Sequence, residues 1–249
     1  YYTRLLDEPG FDRRACARVR LFVSGSAPLL PATFTAFRER SGHTILERYG
    51  MSETAMLASN PYDGPRLPGS VGLPLPGVAI RIANAEGHAC AAGDIGGIEV
   101  RGPNVFKGYW RMPEKTAEEF TADGYFKTGD VGRFDADGYL WIVGRSKDLI
   151  ISGGYNVYPK EVEAVIDELD GVLESAVIGI PHADFGEAVV AVLVLDAGAG
   201  AAPDEAAIIT ALKGRIANFK VPKQVHFVDE LPRNTMGKVQ KNVLRSRFA

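Results

Sequence analysis

Near the end of the chain a lysine follows a glycine in the turn-rich segment Leu231-Pro232-Arg233-Asn234-Thr235-Met236-Gly237-Lys238. A lysine on such a loop can reach into a site, where its compact charge stabilises developing negative charge. Taken alone, a lysine in this setting is more commonly a solvated surface side chain. Lys238 is therefore a candidate catalytic cation, and the support for this interpretation comes from the motifs that precede it.

A second polar run, Glu47-Arg48-Tyr49-Gly50-Met51-Ser52-Glu53-Thr54, follows a short apolar stretch that we interpret as a strand. An aromatic ring such as Tyr49 can cover a purine, and Gly50 permits close approach of a ligand. Ser52 can bond a phosphate and Glu53 can hold Mg²⁺. A polar turn with no ligand explains the same residues.

Two further runs carry fixed charges. Asp130 closes the run Gly124-Tyr125-Phe126-Lys127-Thr128-Gly129-Asp130, where we expect it at a strand edge. An acidic side chain there can accept both ribose hydroxyls of a nucleotide, or it can bond to its own turn. In Gly144-Arg145-Ser146-Lys147-Asp148, Arg145 can bind phosphate or ribose, and Lys147 can act as a pivot between domains. A surface charge cluster is the alternative.

Adjacent glycines occur in Ser152-Gly153-Gly154-Tyr155. Without side chains, they let a narrow thiol-bearing ligand pass close to the backbone. An ordinary β-turn accounts for them equally well.

The elements that position these residues change in character along the chain. Up to about residue 146, short apolar runs are cut by Gly and Pro, which predicts a β-rich region. Within it we predict a helix over about 31–40, a hairpin turn at Asp137-Gly138, and strands over 21–23, 78–82, 97–101, 132–134 and 139–143.

After residue 146, strands and helices alternate, which predicts a small α/β domain. We expect strands over 149–151, 176–180, 189–195 and 224–228, and helices from 159, over 204–218 and over 240–248. Val162, Val165, Ile166 and Leu169 have the spacing of a buried helix face. We predict a mixed α/β and β-rich fold with domains over 1–146 and 147–249, divided at Lys147.

Composition excludes several classes of function. The formal net charge is −3 and no basic stripe is visible, so we expect no nucleic-acid partner. Cys16 and Cys90 are too few and too far apart for a disulfide framework or a metal site. No apolar run approaches the length of a membrane span, so we expect no membrane partner and a cytoplasmic location.

The order and spacing of these motifs resemble the adenylate-forming superfamily of acyl-CoA synthetases, luciferases and peptide-synthetase adenylation domains. The resemblance extends over essentially the whole chain through the segments 24–28, 49–53, 102–110, 128–130, 144–145, 152–154 and 237–238. It implies the carboxy-terminal part of a large nucleotide- and acyl-binding domain, followed by a small mobile domain. It also implies two steps with ATP, Mg²⁺ and CoA: a carboxylate attacks the α-phosphate of ATP to give acyl-AMP, and the thiol of CoA then displaces AMP.

The resemblance further implies a role for each candidate residue. Lys238 would bridge the substrate carboxylate and the α-phosphate, and the small domain would turn about Lys147 between the two steps. Glu53 would hold Mg²⁺. The implied nucleotide-binding residues are Ser24, Gly25, Ser26, Ala27, Arg48, Tyr49, Gly50, Met51, Ser52, Asp130, Arg145 and Lys238, with Tyr49 near adenine, Ser52 on phosphate, and Asp130 and Arg145 on ribose. The implied CoA-binding residues are Ser152, Gly153, Gly154 and Tyr155.

The superfamily has a Ser/Thr/Gly-rich phosphate-gripping loop that would precede Tyr1. We therefore expect this chain to be the carboxy-terminal half of a protein about twice as long, poorly active by itself. Segments 48–53 and 232–238 look most similar to malonyl-CoA synthetases, which predicts malonate or methylmalonate as the acid. A second carboxylate requires a cation, for which Arg4 is one candidate.

Other readings of the same motifs remain open. The protein can be a medium-chain or aryl acid-CoA ligase with an apolar pocket, or an enzyme that loads an acyl group onto a carrier-protein thiol. It can also be a truncated, non-catalytic nucleotide-binding fragment. The charge chemistry of Lys238 additionally suggests control by a lysine acetyltransferase, because acetylation removes the cation.

Overall fold

Short strands joined by glycine-bearing turns form most of the first 142 residues, and alternating strands and helices form the rest. The computed structural model describes residues 1–25, 29–196, 198, 203–235 and 237–249. These residues form two units, Tyr1–Ile142 and Val143–Ala249. The mixed α/β and β-rich fold class predicted from the sequence is confirmed.

The first unit is built on an eight-stranded sheet with the order β1-β2-β3-β4-β8-β7-β6-β5. Its strands are β1 Val23–Ser24, β2 Leu46–Met51, β3 Ala55–Ser59, β4 Ser70–Pro74, β5 Ala79–Ala83, β6 Gly96–Arg101, β7 Phe126–Phe134 and β8 Leu140–Arg145, the last of which runs on into the second unit. Its helices are α1 Tyr2–Asp7, α2 Pro31–Ser41 and α3 Pro113–Glu119. The strands β1 and β2 pair in parallel, which aligns Ser24 with Glu47.

Helix α2 shows why the sequence folds locally as it does. Proline occupies its first turn, and Gly42 ends it in the left-handed conformation at φ 75°. The helix buries Phe34 and Phe37 in a cluster with Cys16 and Ile45. Burying each aromatic side chain contributes about 2–3 kcal/mol.

The second unit is built on a five-stranded sheet in which β10, β9, β12 and β11 are neighbours and β13 pairs with β12. Its strands are β9 Ile150–Ser152, β10 Tyr155–Val157, β11 Val172–His182, β12 Gly186–Leu195 and β13 Gln224–Phe227. Its helices are α4 Pro159–Ile166, α5 Glu205–Lys213 and α6 Lys241–Phe248.

Both faces of this second sheet are covered. Strand β12 directs Val189, Ala191 and Leu193 into a cluster that includes residues of α4 and α5. Its alternate residues join Leu244 of α6 in a second cluster. A strand buried on both faces is apolar without interruption, and β12 has that composition from Ala188 to Leu195.

Several element boundaries differ from the predictions. The run that begins at Glu47 was expected after a strand, but it forms β2 and the turn that follows. The helix predicted over 204–218 ends at Lys213, because Gly214 caps it and a separate 3₁₀ turn, Asn218–Lys220, comes later. Leu169 lies beyond the end of α4, although it packs against the same core as the helix. In the described part of the chain, no helix combines the length and apolarity that a membrane crossing requires.

Candidate functional site

Asp130 lies inside β7, where the pairing with β6 shifts register, and the predicted strand-edge position is wrong. Gly129 has φ 72°, a left-handed conformation that glycine adopts without strain, so a bulge forms here. The Oγ1 of Thr128 donates to the Ile98 carbonyl at 2.9 Å and accepts from the Asp130 amide at 3.1 Å. The Thr128 side chain thereby holds the Asp130 backbone at the bulge.

The hydroxyl of Tyr49 donates to Oδ2 of Asp130, which joins the two predicted nucleotide motifs directly. Both residues are more than nine-tenths buried, and Tyr49 packs in the core with Leu57 and Ile98. An ionised carboxylate is an acceptor-only group, which is the chemistry that ribose hydroxyls require. Since the Tyr49 ring is almost wholly buried, its visible role is to hold Asp130, and its role near adenine stays a prediction.

Gly50 occupies a place where a side chain does not fit. A Cβ atom there would lie 2.0 Å from the Ala55 carbonyl oxygen of β3, next to a shift in the β2–β3 register. The close approach that Gly50 permits is therefore that of a neighbouring strand. The turn between the two strands leaves Ser52 exposed and Glu53 half-buried.

Glu53 is held through both its backbone and its side chain. Its carbonyl accepts from the Phe106 amide at 2.7 Å, and its Oε1 accepts from the Tyr109 hydroxyl at 3.2 Å. Burial, followed by the nearby Glu53 charge, raises the pKa of Tyr109, so its phenol stays a donor at neutral pH. Tyr109 was not among the predicted site residues, although it lies in the 102–110 segment that carries the resemblance.

The residues around Glu53 fit Mg²⁺ that arrives with a nucleotide. Among the described residues, no group of three or more His, Cys, Asp or Glu side chains gathers to form an all-protein metal cage. Mg²⁺ is commonly held by one or two carboxylates together with substrate phosphates. A single half-buried carboxylate satisfies that requirement.

The first strand brings further candidates next to β2. Ser24 lies in β1, and a Cβ atom on Gly25 would lie 3.3 Å from the Arg48 side chain and carbonyl. The Nη1 of Arg48 lies 2.8 Å from the Met56 sulfur. Met51 packs against the core of the first unit. The predicted site residues Ser26 and Ala27 lie outside the described residues.

In the second unit, Ser152, Gly153, Gly154 and Tyr155 form the tight β9–β10 hairpin. Ser152 pairs with Tyr155, and the two glycines have φ 58° and 80°, the geometry of a type I′ turn. The hairpin borders a cavity of about 490 Å³. The lining residues are Ser152, Gly153, Tyr155, Phe185, Asn218, Phe219 and Lys223.

The last four of these lining residues were not predicted. Tyr155 stacks on Phe219 with ring centroids 4.6 Å apart and planes 23° apart. The Nζ of Lys223 lies 5.2 Å from the centroid of the Phe185 ring. Phe185 precedes β12, whereas Asn218, Phe219 and Lys223 lie in and just after the 3₁₀ turn Asn218–Lys220, so no single short motif contains all four.

Arg145 is the last residue of β8 and is half-buried. Lys147 is exposed in the 3₁₀ turn Ser146–Asp148 that follows. Asp148 pairs with Arg245 of α6 at 2.9 Å. Lys147, the candidate hinge residue, is therefore followed directly by Asp148, which is held by an ion pair with α6.

Lys238 is exposed on a short loop, residues 233–239, which we call the lysine hairpin. Its ends form an isolated bridge between Arg233 and Val239. The amide of Asn234 donates to the Lys238 carbonyl at 3.0 Å, and the Lys238 amide donates to Oδ1 of Asn234 at 2.9 Å. Gly237 has φ 79°, which suits glycine at this turn. These bonds tie the Lys238 backbone to Asn234 across the loop.

Two family models match the chain. Residues 1–110 match the AMP-binding enzyme model, and residues 161–238 match the AMP-binding enzyme C-terminal domain. Among solved structures, ATP-bound MatB from Rhodopseudomonas palustris is 59% identical with a TM-score of 0.96. The match covers 99% of this chain and 49% of that chain.

Curated relatives include ligases for different acids. A malonate–CoA ligase of Arabidopsis thaliana is 41% identical over 261 aligned positions, which cover 98% of this chain and 42% of that protein. A long-chain-fatty-acid–CoA ligase of Yersinia pestis is 39% identical over 245 positions, which cover 98% of this chain and 43% of that protein. The chain spans less than half the length of these two relatives.

Proposed function

The chain belongs to the AMP-binding enzyme family, and from that membership we propose that the protein is an ATP-dependent acid-CoA ligase acting through an acyl-AMP intermediate. The main support is that nearly the whole chain shares its fold with an ATP-bound relative, while the named curated relatives are acid–CoA ligases. Its substrates are a small carboxylic acid, ATP and CoA. The proposal concerns the whole protein, of which this chain supplies one part.

In the first step the acid's carboxylate attacks the α-phosphate of ATP. A bond forms between the carboxylate oxygen and phosphorus, and the bond from phosphorus to pyrophosphate breaks. Lys238 stabilises this step, because one fixed cation offsets the repulsion between two anions and the charge of the transition state. Its exposure, on a backbone tied to Asn234 by a hydrogen bond, supports this role.

We assign nucleotide binding to Asp130, Ser52 and Glu53 of the first unit, and Arg145 keeps its predicted role on the ribose. Asp130 accepts hydrogen bonds from the ribose hydroxyls. The buried hydrogen bond from Tyr49 supports this role because it fixes the Asp130 carboxylate. Ser52 contacts phosphate from the turn after β2. Glu53 would hold the Mg²⁺ that accompanies ATP, and when bound such an ion would supply positive charge against the phosphates.

In the second step the CoA sulfur attacks the acyl carbonyl, and AMP leaves as the carbon–oxygen bond breaks. We assign the β9–β10 hairpin and its cavity to CoA. The small domain, residues 147–249, turns about Lys147 between the steps, withdrawing Lys238. Support comes from the exposed position of Lys147 in a short turn.

We propose malonate or methylmalonate as the acid. The segments 48–53 and 232–238 and the named malonate–CoA ligase relative support this choice. The long-chain-fatty-acid–CoA ligase relative favours the rival choice, an apolar acid. Arg4 stays a candidate for the second carboxylate, since it is exposed on α1.

A substrate comparison tests both levels of the proposal. With the full-length protein and ATP, we expect CoA-dependent AMP release with malonate to exceed that with octanoate. Preference for octanoate would contradict the malonate assignment alone, whereas no AMP release with any acid would contradict the ligase assignment. Replacing CoA by a carrier protein separates a carrier-loading enzyme from a CoA ligase.

We also propose that a cytoplasmic lysine acetyltransferase regulates Lys238. The side chain is exposed, and acetylation would remove the charge that the first step requires. Incubation with an acetyl donor and an acetyltransferase should reduce acyl-AMP formation in proportion to modification at Lys238. Full activity at stoichiometric modification would rule this regulation out.

A further inference from the structure

We propose that Glu174 and Arg233 act as a positioning pair that directs the lysine hairpin for the adenylation step. Neither residue belongs to the nucleotide, metal or CoA groups described above. The inference rests on the proposed function, because it concerns how Lys238 is delivered to the acid and ATP. It adds two residues that act through Lys238 and do not touch substrate.

The base of the lysine hairpin is anchored by apolar packing. Leu231 is 3% exposed and lies in the cluster that contains Leu244, against which Val239 also packs. Beyond this base, Asn234, Gly237 and Lys238 are all exposed. Packing therefore holds the start and end of the hairpin, while the direction of its tip needs a different constraint.

Arg233 supplies that constraint through two nitrogens. Its Nη1 donates to the Gly237 carbonyl at 2.8 Å, the carbonyl of the peptide group that leads into Lys238. Its Nη2 forms an ion pair with Oε2 of Glu174. A guanidinium holds its donors in a rigid planar fork, so fixing one nitrogen fixes the direction of the other. Glu174 thereby orients the hairpin tip through a single side chain.

Glu174 is a firm anchor because it lies on β11, which pairs with β12 along a ladder of ten residue pairs. It pairs with Val194 of β12, directly after a bulge in the long β11–β12 ladder. The sheet therefore holds one end of the link while the hairpin carries the other. Substituting Glu174 leaves the internal hydrogen bonds of the hairpin in place but frees its tip to reorient.

The energetics favour a positional role. The side chains of Arg233 and Glu174 are 41% and 27% exposed, and ion pairs open to solvent contribute little to folding stability. By contrast, a misplacement of about 1 Å at a reacting centre can cost about a hundredfold in rate. Loss of this pair should therefore affect catalysis far more than thermal stability.

The test compares two half-reactions in the full-length protein. Adenylation is measured as pyrophosphate release with acid and ATP in the absence of CoA, and thiolysis as acyl-CoA formation from supplied acyl-AMP. We expect Glu174→Ala to lower kcat for adenylation by about tenfold to a hundredfold with little change in KM for ATP. Thiolysis should be unchanged, because Lys238 acts only in the first step. Glu174→Gln, which keeps an oxygen acceptor, should lose less activity than Glu174→Ala.

Glu168→Ala is the matched control, since it removes the comparable exposed ion pair of Glu168 with Arg215 in the same unit. Its Tm and both half-reactions should match those of the wild type. If Glu174→Ala behaves like Glu168→Ala, or slows both half-reactions equally, the positioning role is wrong. If the wild-type protein itself performs neither half-reaction, the proposed function fails and this inference fails with it.

Discussion

The hydrogen bond between Tyr49 and Asp130 joins positions 81 residues apart and fixes a carboxylate that is 5% exposed. A hydrogen bond to a charged group typically contributes about 1.5–3 kcal/mol. We expect Tyr49→Phe to weaken AMP binding by about tenfold, measured by calorimetry on the full-length protein. Tyr139→Phe is the control, because it removes a tyrosine hydrogen bond to the Pro65 carbonyl away from Asp130. Equal affinity in the two variants would contradict the role of Tyr49.

Asp167 carries an unfavourable charge in the second unit. Burial, ahead of the charges of Glu163 and Glu174, raises its pKa to about 6, although the Ser175 hydroxyl partly offsets this. The folded protein therefore binds this proton more tightly than the unfolded chain, whose Asp pKa is near 3.9. The ionised side chain costs stability progressively as pH rises from about 4 to above 6.

Replacing Asp167 by Asn should therefore stabilise the protein at high pH. We expect the free energy of unfolding to rise by about 2 kcal/mol at pH 8, with a much smaller gain at pH 4.5. Urea unfolding at the two pH values measures this difference. A gain that is the same at both values would show that the charge of Asp167 is not the cause.

For single residues, the sequence predicts which side chains suit a nucleotide site better than it predicts their hydrogen-bond partners. The motifs identified Tyr49, Glu53 and Asp130 as polar residues suited to a nucleotide. The bond of Tyr49 to Asp130 joins two strands, and the bond of Tyr109 to Glu53 joins a loop to a turn. In both cases the partners are distant in sequence, so spacing alone does not reveal them.

Among the elements, the β2–β3 pair depends on a glycine. A Cβ atom at position 50 would lie 2.0 Å from the Ala55 carbonyl oxygen, so Gly50→Ala must push the strands apart. We expect a loss of about 1–3 kcal/mol in stability, measured by urea unfolding, together with weaker AMP binding because β2 carries Tyr49. Gly10→Ala is the control, since a Cβ atom there meets nothing within 4 Å. Similar stability in the two variants would contradict this account of Gly50.

Strand and helix patterns predicted most elements, but backbone irregularities escaped them. The bulge at Gly129 places Asp130 within β7, and nothing in a Thr-Gly-Asp run separates a bulge from a strand end. For the adjacent glycines at 153 and 154 a β-turn was one of two interpretations, and the structure has that turn, because left-handed φ at two successive positions favours glycine at both. A turn whose conformation depends on its own residues can therefore be predicted from the sequence. A bulge that depends on the pairing with a neighbouring strand cannot.

At the scale of the whole molecule, the change from a β-rich to an alternating pattern predicted a division near residue 147. The structure divides between Ile142 and Val143, within β8, because that strand begins in the sheet of the first unit and continues to Arg145. The sequence pattern changes where new strands and helices begin. The division between the units falls a few residues earlier, inside β8. The hinge at Lys147 stays a prediction.

Lys147→Pro tests that hinge. Proline fixes φ near −65° and is tolerated in the first turn of a helical segment, where Lys147 lies. If the small domain turns about this residue, the variant should retain one half-reaction and lose much of the other. Pyrophosphate release and thiolysis of supplied acyl-AMP measure the two separately. An equal effect on both would contradict a hinge at this position.

The central claim is that Lys238 provides the cation for acyl-AMP formation and is not required for thiolysis. The most direct measurement is the rate of each half-reaction in full-length Lys238→Ala. We predict that pyrophosphate release with acid and ATP falls by about a hundredfold to a thousandfold, while thiolysis of supplied acyl-AMP proceeds at the wild-type rate. Equal loss of both half-reactions, or adenylation at the wild-type rate, would contradict the account.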